Sequence, residues 1–560
     1  MTSRTSQWNR LGADVDVLVV GGGITGCGIA RDAARRGLTT ALVEARDFAY
    51  GTSSRSSKLV HGGLRYLEQF EFHLVFEAVS ERRVLMDIAP HLVLPLGFVF
   101  PVYATSRQAL WKVNAGMWIY DGLSRFSSPK IHRKLSKADV QKVEPSLRSN
   151  DLKGAPLYYD CSTDDARLTL ENAIDAIQCG ATVVNRAKVR GFLKDDSGRV
   201  TGAVVEDTDS GQLREIKAKV VINATGPWTD RTLAMSGARE GSPLLRPTKG
   251  VHIVVDRVRL PVNHAVVCFH PTDGRVLFAI PWGDRTYVGT TDTDFEGDTS
   301  ECCATLADID YLLDASNSYF PTAALVREDV VSTWAGLRPL IRPPEANGMN
   351  ESKVSREHEI HVGADGIVTI AGGKLTTYRR MAGEVVDAAV KQLAAHGGVP
   401  SKLSASATER DALPGAVGWP AEDPVNTLIA SVRATSGDVI SEASAAGLVQ
   451  TYGTRAVALA DLVKVDPSLG APLVPGRWEI LAQVDWAVDE EMACGVSDVL
   501  VRRTQLFYRD ADQGLGCAAV VGQRLGAKLG WDAVRTAESV DAYREEVAMS
   551  RRWRDELPAA

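Results

Sequence analysis

The residues best suited to chemistry come early in the chain. Gly21-Gly22-Gly23-Ile24-Thr25-Gly26 is a G-x-G-x-x-G run, and Glu44 follows Gly21 by 23 positions. In that spacing Gly21 permits a tight turn, Gly23 lets the backbone approach a pyrophosphate, and Gly26 lets a helix pack closely on a strand. Amide N–H groups at the helix start then face phosphates, and the later acid accepts hydrogen bonds from a ribose. That is dinucleotide chemistry. The motif alone is weak, but the elements it needs surround it. Residues 15–20 (Val-Asp-Val-Leu-Val-Val) read as a buried strand, the stretch to Arg36 as a helix stopped by Gly37, and 39–43 as a second strand ending at Glu44.

Later segments bear on which dinucleotide is bound. Thr52-Ser53-Ser54-Arg55-Ser56-Ser57-Lys58-Leu59 is hydroxyl-rich and runs into His61-Gly62-Gly63-Leu64-Arg65-Tyr66. Far downstream, 220–226 (Val-Val-Ile-Asn-Ala-Thr-Gly) ends a strand at a small-residue turn, and 368–371 runs into Gly372-Gly373-Lys374-Leu375-Thr376-Thr377. Each reads as a strand end feeding a turn or helix start, where an α/β sheet binds ligands. A nicotinamide domain completes its site within one compact fold, whereas a glutathione-reductase-type FAD domain gathers its site from distant segments. The dispersed set favours FAD.

Taken in order, these segments resemble a known family. G-G-G-I-T-G at 21–26, T-S-S-R-S-S-K-L-V-H-G-G-L-R-Y-L at 52–67, N-A-T-G-P-W at 223–228, G-L-R-P-L at 336–340 and G-G-K-L-T-T-Y at 372–378 are similar to the FAD-dependent glycerol-3-phosphate dehydrogenases. G-V-H-I-V-V at 250–255 and V-G-T-T-D at 288–292 match in order too. The resemblance is good over about 14–400 and looser beyond. It implies that Gly21, Gly23, Gly26, Glu44, Thr52, Ser53, Ser57, Gly62, Gly63, Leu64, Val189, Gly226, Gly373 and Thr376 hold FAD. It also implies that Arg338 and Lys374 bind glycerol 3-phosphate, with Arg65 and Tyr66 lining the same pocket. Fixed cations suit a phosphate dianion, and Arg is its best planar partner.

The implied reaction moves hydride from substrate C2 to the flavin while a base takes the C2 hydroxyl proton. Histidine suits that role near neutral pH. His61 is the first candidate and His252 the second, while Arg65, Arg338 and Lys374 would stabilise developing alkoxide charge. The activity expected is oxidation of sn-glycerol 3-phosphate to dihydroxyacetone phosphate, with electrons passed to membrane quinone. A hydrogen-peroxide-producing oxidase is the closest alternative. A flavin-binding scaffold without turnover leaves Arg65, Arg338 and Lys374 without a purpose, and amino-acid oxidation needs fewer cations. No metal site is expected: Asp292–Gly297 begins like a calcium loop but has Cys303 at its twelfth position, and His358 and His361 sit three apart in a strand, on opposite faces.

The elements that must position these groups follow from the whole chain. Its 560 residues suit about three domains. Hydrophobic residues at 45% and charged residues at 24% describe an ordinary core-forming chain. The fold class expected is α/β: a glutathione-reductase-type FAD-binding Rossmann domain with an inserted β-rich substrate cap and a C-terminal α-helical domain. Residues 14–90, 153–240 and 336–400 are assigned to FAD binding, 91–152 and 241–335 to the cap, 401–416 to a Ser/Ala-rich linker, and 417–560 to the helical domain, packed on the flavin domain or at a homodimer interface.

Charge is unevenly placed. Net charge is −7, yet residues 1–135 carry 17 Lys and Arg against 11 Asp and Glu. Within 107–134, Arg107, Lys112, Arg125, Lys130, Arg133 and Lys134 oppose only Asp121, and Leu110, Val113, Met117 and Tyr120 repeat at helical spacing. That pattern suits an interfacial helix on anionic lipid. No nucleic-acid module is present. Eight cysteines without a C-x-x-C pair read as reduced intracellular thiols. No run is long enough to span a bilayer. The expectation is a cytoplasmic protein, peripheral on the inner face of the cell membrane.

Overall fold

The computed structural model describes residues 3–64, 71–124, 128–237, 243–342, 357–396 and 398–556. The apolar Val15–Val20 run forms the central strand of a sheet, buried at five of its six positions. It pairs in parallel with Thr40–Val43 on one side and Leu213–Asn223 on the other. Thr182–Val184 and Val368–Gly372 extend the parallel core, and antiparallel His358–Val362 closes one edge. These five parallel strands, spread over more than 300 residues of chain, therefore bring their C-terminal ends together. The helices Ile24–Arg35, Asp165–Gln178 and Tyr378–Ala395 contribute to the core on one face. The hairpin strands Ala187–Lys194 and Val200–Asp207 enclose a second core with Trp8 and Leu11.

A second sheet of eleven strands supplies the other wall. Its longest pairing runs Leu245–Asp256 against Val330–Ile341, which sets Gly250 opposite Gly336, His252 opposite Trp334 and Thr248 opposite Arg338. The expected boundaries at 153 and 336 fall inside strands of this sheet. Leu152–Ser162 pairs with Leu94–Val99, and Val330–Ile341 continues unbroken past 336. Both strands belong to the second sheet along their whole length, so the expected division cuts through that sheet instead of falling between the two layers.

The C-terminal region is built mainly of helices, from Pro424–Thr435 to Ala533–Arg551. The 401–416 stretch lacks regular structure for most of its length, yet it does not behave as a free linker. Arg31 donates to the Thr408 and Asp411 carbonyls, Asp32 accepts from Ser406, and Arg35 pairs with Asp411 at 2.8 Å. These bonds fasten it along the Ile24–Arg35 helix. All eight cysteines are free. Among the described residues no helix is long and apolar enough to cross a membrane.

Candidate active site

Between the two sheets lies a cleft of about 520 Å³ whose walls come from eight separated stretches of chain, between Val20 and Thr376. At one end the turn after the central strand places Gly21 at φ +114°, with its Cα side closed by the Ala224 carbonyl. A Cβ on Gly26 would fall within the van der Waals shell of the Gly21 carbonyl oxygen, so turn and helix meet only because both residues are glycine. The helix begins at Ile24 with Gly23 as its cap, which offers no side-chain acceptor; the Ile24 N–H goes to Ser53 Oγ at 2.9 Å. Glu44 accepts from the Gly22 and Arg46 amides at 2.6 and 2.7 Å. Burial raises its carboxyl above the usual range, and these two N–H groups oppose that rise.

At the other end the cap sheet meets the 375–377 turn and the helix that follows. Arg338 lies in the Val330–Ile341 strand, its Nη1 3.0 Å from Asp292 and its Nη2 3.0 Å from Thr290 Oγ1. Its guanidinium is thus aimed before any ligand arrives. Lys374 lies in the glycine turn just before Leu375–Thr377. Thr376 Oγ1 is 3.2 Å from both the amide and the carbonyl of His61, which fixes that histidine beside the turn. Gly63 donates its N–H to His61 Nδ1 at 3.1 Å, so the neutral ring carries its proton on Nε2. Taking a proton at Nε2 requires a tautomer exchange that gives up this contact.

His252 is built differently. Its ring stacks on Trp334 with centroids 4.6 Å apart, Nε2 is 2.9 Å from Ser57 Oγ, and Nδ1 is buried without a hydrogen-bond partner among the described residues. Burial, then the nearby charges of Arg338 and Lys58, hold its pKa well below the usual histidine value. It is a neutral imidazole with little affinity for a proton.

Of the residues singled out from sequence, Gly21, Gly23, Glu44, Thr52, Ser53, Ser57, His61, Val189, Gly226, His252, Arg338, Gly373, Lys374 and Thr376 all line this one cleft. Gly26 acts from behind, as a packing residue. Gly62 and Leu64 are not on the cleft wall, and neither is Gly63, which faces His61. The Gly62 amide is taken by Tyr120 and Asp160, at 3.0 and 3.1 Å, so it points into the protein rather than toward a cofactor. Arg65 and Tyr66 lie outside the described residues. Thr52 Oγ1 also spends its hydrogen on the Leu337 carbonyl, at 2.6 Å, tying the two walls together.

Sequence reasoning missed an aromatic and cationic group near Glu44. Tyr50, Trp228, Arg46, Arg55 and Arg231 line the cleft. Arg46 sits over the Tyr50 ring at 4.4 Å and Arg55 at 5.3 Å. The available signal was position: Arg46 follows Glu44 by two, and Trp228 and Arg231 lie in or just beyond the 223–228 motif.

The glycine cradle, the helix start behind it and a cleft lined from Gly21 to Arg338 of the cap sheet fit a dinucleotide. Fold and site together define a dinucleotide-binding flavoprotein oxidoreductase. Residues 16–379 match the family model for FAD dependent oxidoreductases, and 406–536 match that for the C-terminal domain of alpha-glycerophosphate oxidase. The chain is 40% identical to glycerol-3-phosphate dehydrogenase 2 of Mycobacterium tuberculosis, over 97% of this chain and 90% of that protein. It is 37% identical to the aerobic glycerol-3-phosphate dehydrogenase of Staphylococcus epidermidis, over 97% and 95%. The solved glycerol-3-phosphate dehydrogenase from Bacillus halodurans, complexed with FAD, superposes with a TM-score of 0.79 at 32% identity, covering 98% of each chain. The chain belongs to the FAD-dependent glycerol-3-phosphate dehydrogenase family. FAD is its cofactor.

One consequence is directly measurable. Gly26→Ala forces the turn and the helix apart, and overpacking of about 1–3 kcal/mol corresponds to FAD held about tenfold to a hundredfold more weakly. The visible flavin absorbance per mole of purified protein should fall accordingly.

Proposed function

We propose that this protein oxidises sn-glycerol 3-phosphate to dihydroxyacetone phosphate and passes the electrons to a membrane quinone. The observation that carries the reading is the shared wall position of Arg338 and Lys374 with His61 and His252, at the cap-sheet end of the cleft. Both cations present donors suited to a phosphate or a developing alkoxide oxygen. Arg338 is oriented by Asp292 and Thr290, and Arg65 and Tyr66 are proposed to complete the pocket. FAD, when bound, accepts the hydride leaving substrate C2. The proton of the C2 hydroxyl is assigned to His61, which is half-buried and hydrogen-bonded into the turn carrying Lys374. His252 is the poorer acceptor because its surroundings disfavour the protonated ring. Its proposed task is to hold Ser57 and the ring end of the cleft in shape.

The relatives are named dehydrogenases, which favours an electron acceptor other than oxygen, while the C-terminal region matches a family model named for an oxidase. Turnover with glycerol 3-phosphate should therefore be compared with a short-chain quinone and with oxygen alone. Fast turnover with quinone and slow peroxide formation is the expected result. Equal or faster turnover with oxygen would make the protein an oxidase.

A peripheral position on the inner face of the membrane is part of the proposal, and the helix Leu110–Leu123 supports it on a different face from that expected. Met117 and Tyr120 are buried, the Tyr120 hydroxyl bonding Asp160 and the Gly62 amide, so the predicted stripe packs inward. The outer face instead exposes Trp111 (69%), Trp118 (54%) and Ile119, with Ile131 nearby in sequence. Arg107, Lys112, Lys130, Arg133 and Lys134 are exposed along the same segment. Tryptophans among cations suit the lipid headgroup layer, and each cation there contributes about 1 kcal/mol. Anionic liposomes should retain the protein at low salt. Neutralising Lys130, Arg133 and Lys134, or replacing both tryptophans by Ser, should release it; unchanged retention would remove this surface from the account.

A further inference from the structure

The stretch 44–58 lines much of the cleft, yet several of its backbone and side-chain positions are held from outside the FAD-binding sheet. Asp47, three residues after Glu44, is buried and accepts from Arg502 Nε at 2.6 Å, Arg503 Nη1 at 2.8 Å and Arg503 Nη2 at 3.0 Å. Burial works against its charge, but Arg503 and Arg502 outweigh it and hold the carboxyl below the usual range. The two arginines end a π-helical turn, Asp498–Arg503. A turn of this kind has more residues per revolution than an α-helix, so consecutive side chains diverge less and both can reach one carboxylate. Their outer partners fix them in turn: Asp498 for Arg502 at 2.6 Å, and Glu491 for Arg503 at 3.3 Å.

Two further contacts reach the same stretch. The Tyr508 hydroxyl donates to the Ser54 carbonyl at 3.3 Å, and Glu546 faces Arg55 at 3.8 Å. Lys58 is buried against Asp165 at 2.7 Å, with its ammonium 5.0 Å from the Tyr508 ring centroid. Arg502 also lies 5.7 Å from the ring of Tyr50, a residue of the cleft wall. None of Arg502, Arg503, Tyr508 or Glu546 lines the cleft.

We infer that the C-terminal helical domain is a positioning element for the cofactor, with Arg503 and Arg502 on Asp47 fixing the loop that holds FAD between Glu44 and Ser57. The inference rests on FAD binding and is independent of the substrate and of the electron acceptor. Arg503 is a positioning residue: it acts on FAD only through Asp47.

The test reads the rate at which FAD leaves the holoenzyme on dilution, followed by flavin fluorescence, beside the melting temperature of each variant. Arg503→Met should speed FAD loss about tenfold or more, because removing one partner of a buried ion pair is costly. Arg503→Lys keeps the charge but loses the paired donors on Asp47, so its rate should fall between the parent and the Met variant. Leu459→Ala serves as the control: Leu459 is fully buried in the helical bundle of the same domain, away from 44–58. It should lower the melting temperature without loosening FAD. If Arg503→Met does not fold, Tyr508→Phe removes only the hydroxyl on Ser54 and should still raise the rate measurably. Unchanged FAD release in the folded Arg503 or Tyr508 variant would overturn the inference. So would an equal acceleration in Leu459→Ala, which would reduce the effect to general stability.

Discussion

Replacing Arg338 by Ala should lower kcat/KM for glycerol 3-phosphate by about a hundredfold to a thousandfold, or about 3–4 kcal/mol, with bound FAD intact. The size follows from the way this residue is held. Asp292 and Thr290 aim the guanidinium into the cleft, so little ordering remains to be done when a dianion arrives. Truncation removes the fork and also leaves the nearly buried Asp292 carboxylate facing the incoming phosphate, so the variant adds repulsion to the lost attraction. Arg338→Lys separates the two effects. It keeps a positive charge beside Asp292 but loses the planar pair of donors, and should fall between parent and Ala variant. The close packing at Gly250 offers an independent check. A side chain there would collide with the Arg338 guanidinium, so Gly250→Ala should raise KM by pushing that guanidinium off its aim, with no change at residue 338 itself. An unchanged KM in Arg338→Ala would place the phosphate elsewhere.

Replacing His61 by Gln should slow flavin reduction by about 10²–10⁴-fold, the usual contribution of a positioned proton acceptor. Substrate affinity and FAD content should change little, because Thr376 bonds the His61 backbone rather than its ring. The pH profile distinguishes a base from a packing residue. A base works in its neutral form, so the parent's reduction rate should fall toward acid pH, and the Gln variant should lose that acid limb. His252→Gln makes the contrasting case. Its ring is already neutral at physiological pH and packs on Trp334, so the variant should disturb binding and stability without removing an acid limb. If His252→Gln abolished the acid limb and His61→Gln preserved it, the two assignments would have to be exchanged.

Both results depend on groups that the sequence exposed to unequal degrees. The Gly21–Gly26 turn, Glu44 and the parallel strands around them were legible because short-range steric demands leave few alternatives at those positions. Arg338, Lys374, His61 and His252 were legible as members of ordered motifs, but their chemistry was not. Whether an imidazole holds a proton depends on burial and on charges such as Lys58 and Arg338 that only the fold brings near. Gly62 misled for a similar reason: a glycine pair after a histidine resembles a ligand-facing turn, while Tyr120 and Asp160, far along the chain, claim its amide. The Leu110–Leu123 helix was read with the wrong face outward. Helical spacing marks an apolar stripe equally well whether protein or lipid covers it, and here the protein takes Met117 and Tyr120. Asp47 and Arg503 carry no local signal at all, since their pairing spans more than 450 residues of chain.

The central claim is that the cap-sheet end of this cleft delivers hydride from glycerol 3-phosphate to FAD. Its most direct test is to mix the holoenzyme anaerobically with glycerol 3-phosphate and follow the visible flavin absorbance. The expected result is stoichiometric bleaching by glycerol 3-phosphate, none by glycerol alone, and strongly slowed bleaching in Arg338→Ala. A flavin that stays oxidised with glycerol 3-phosphate, or that is bleached equally well by glycerol, would contradict it.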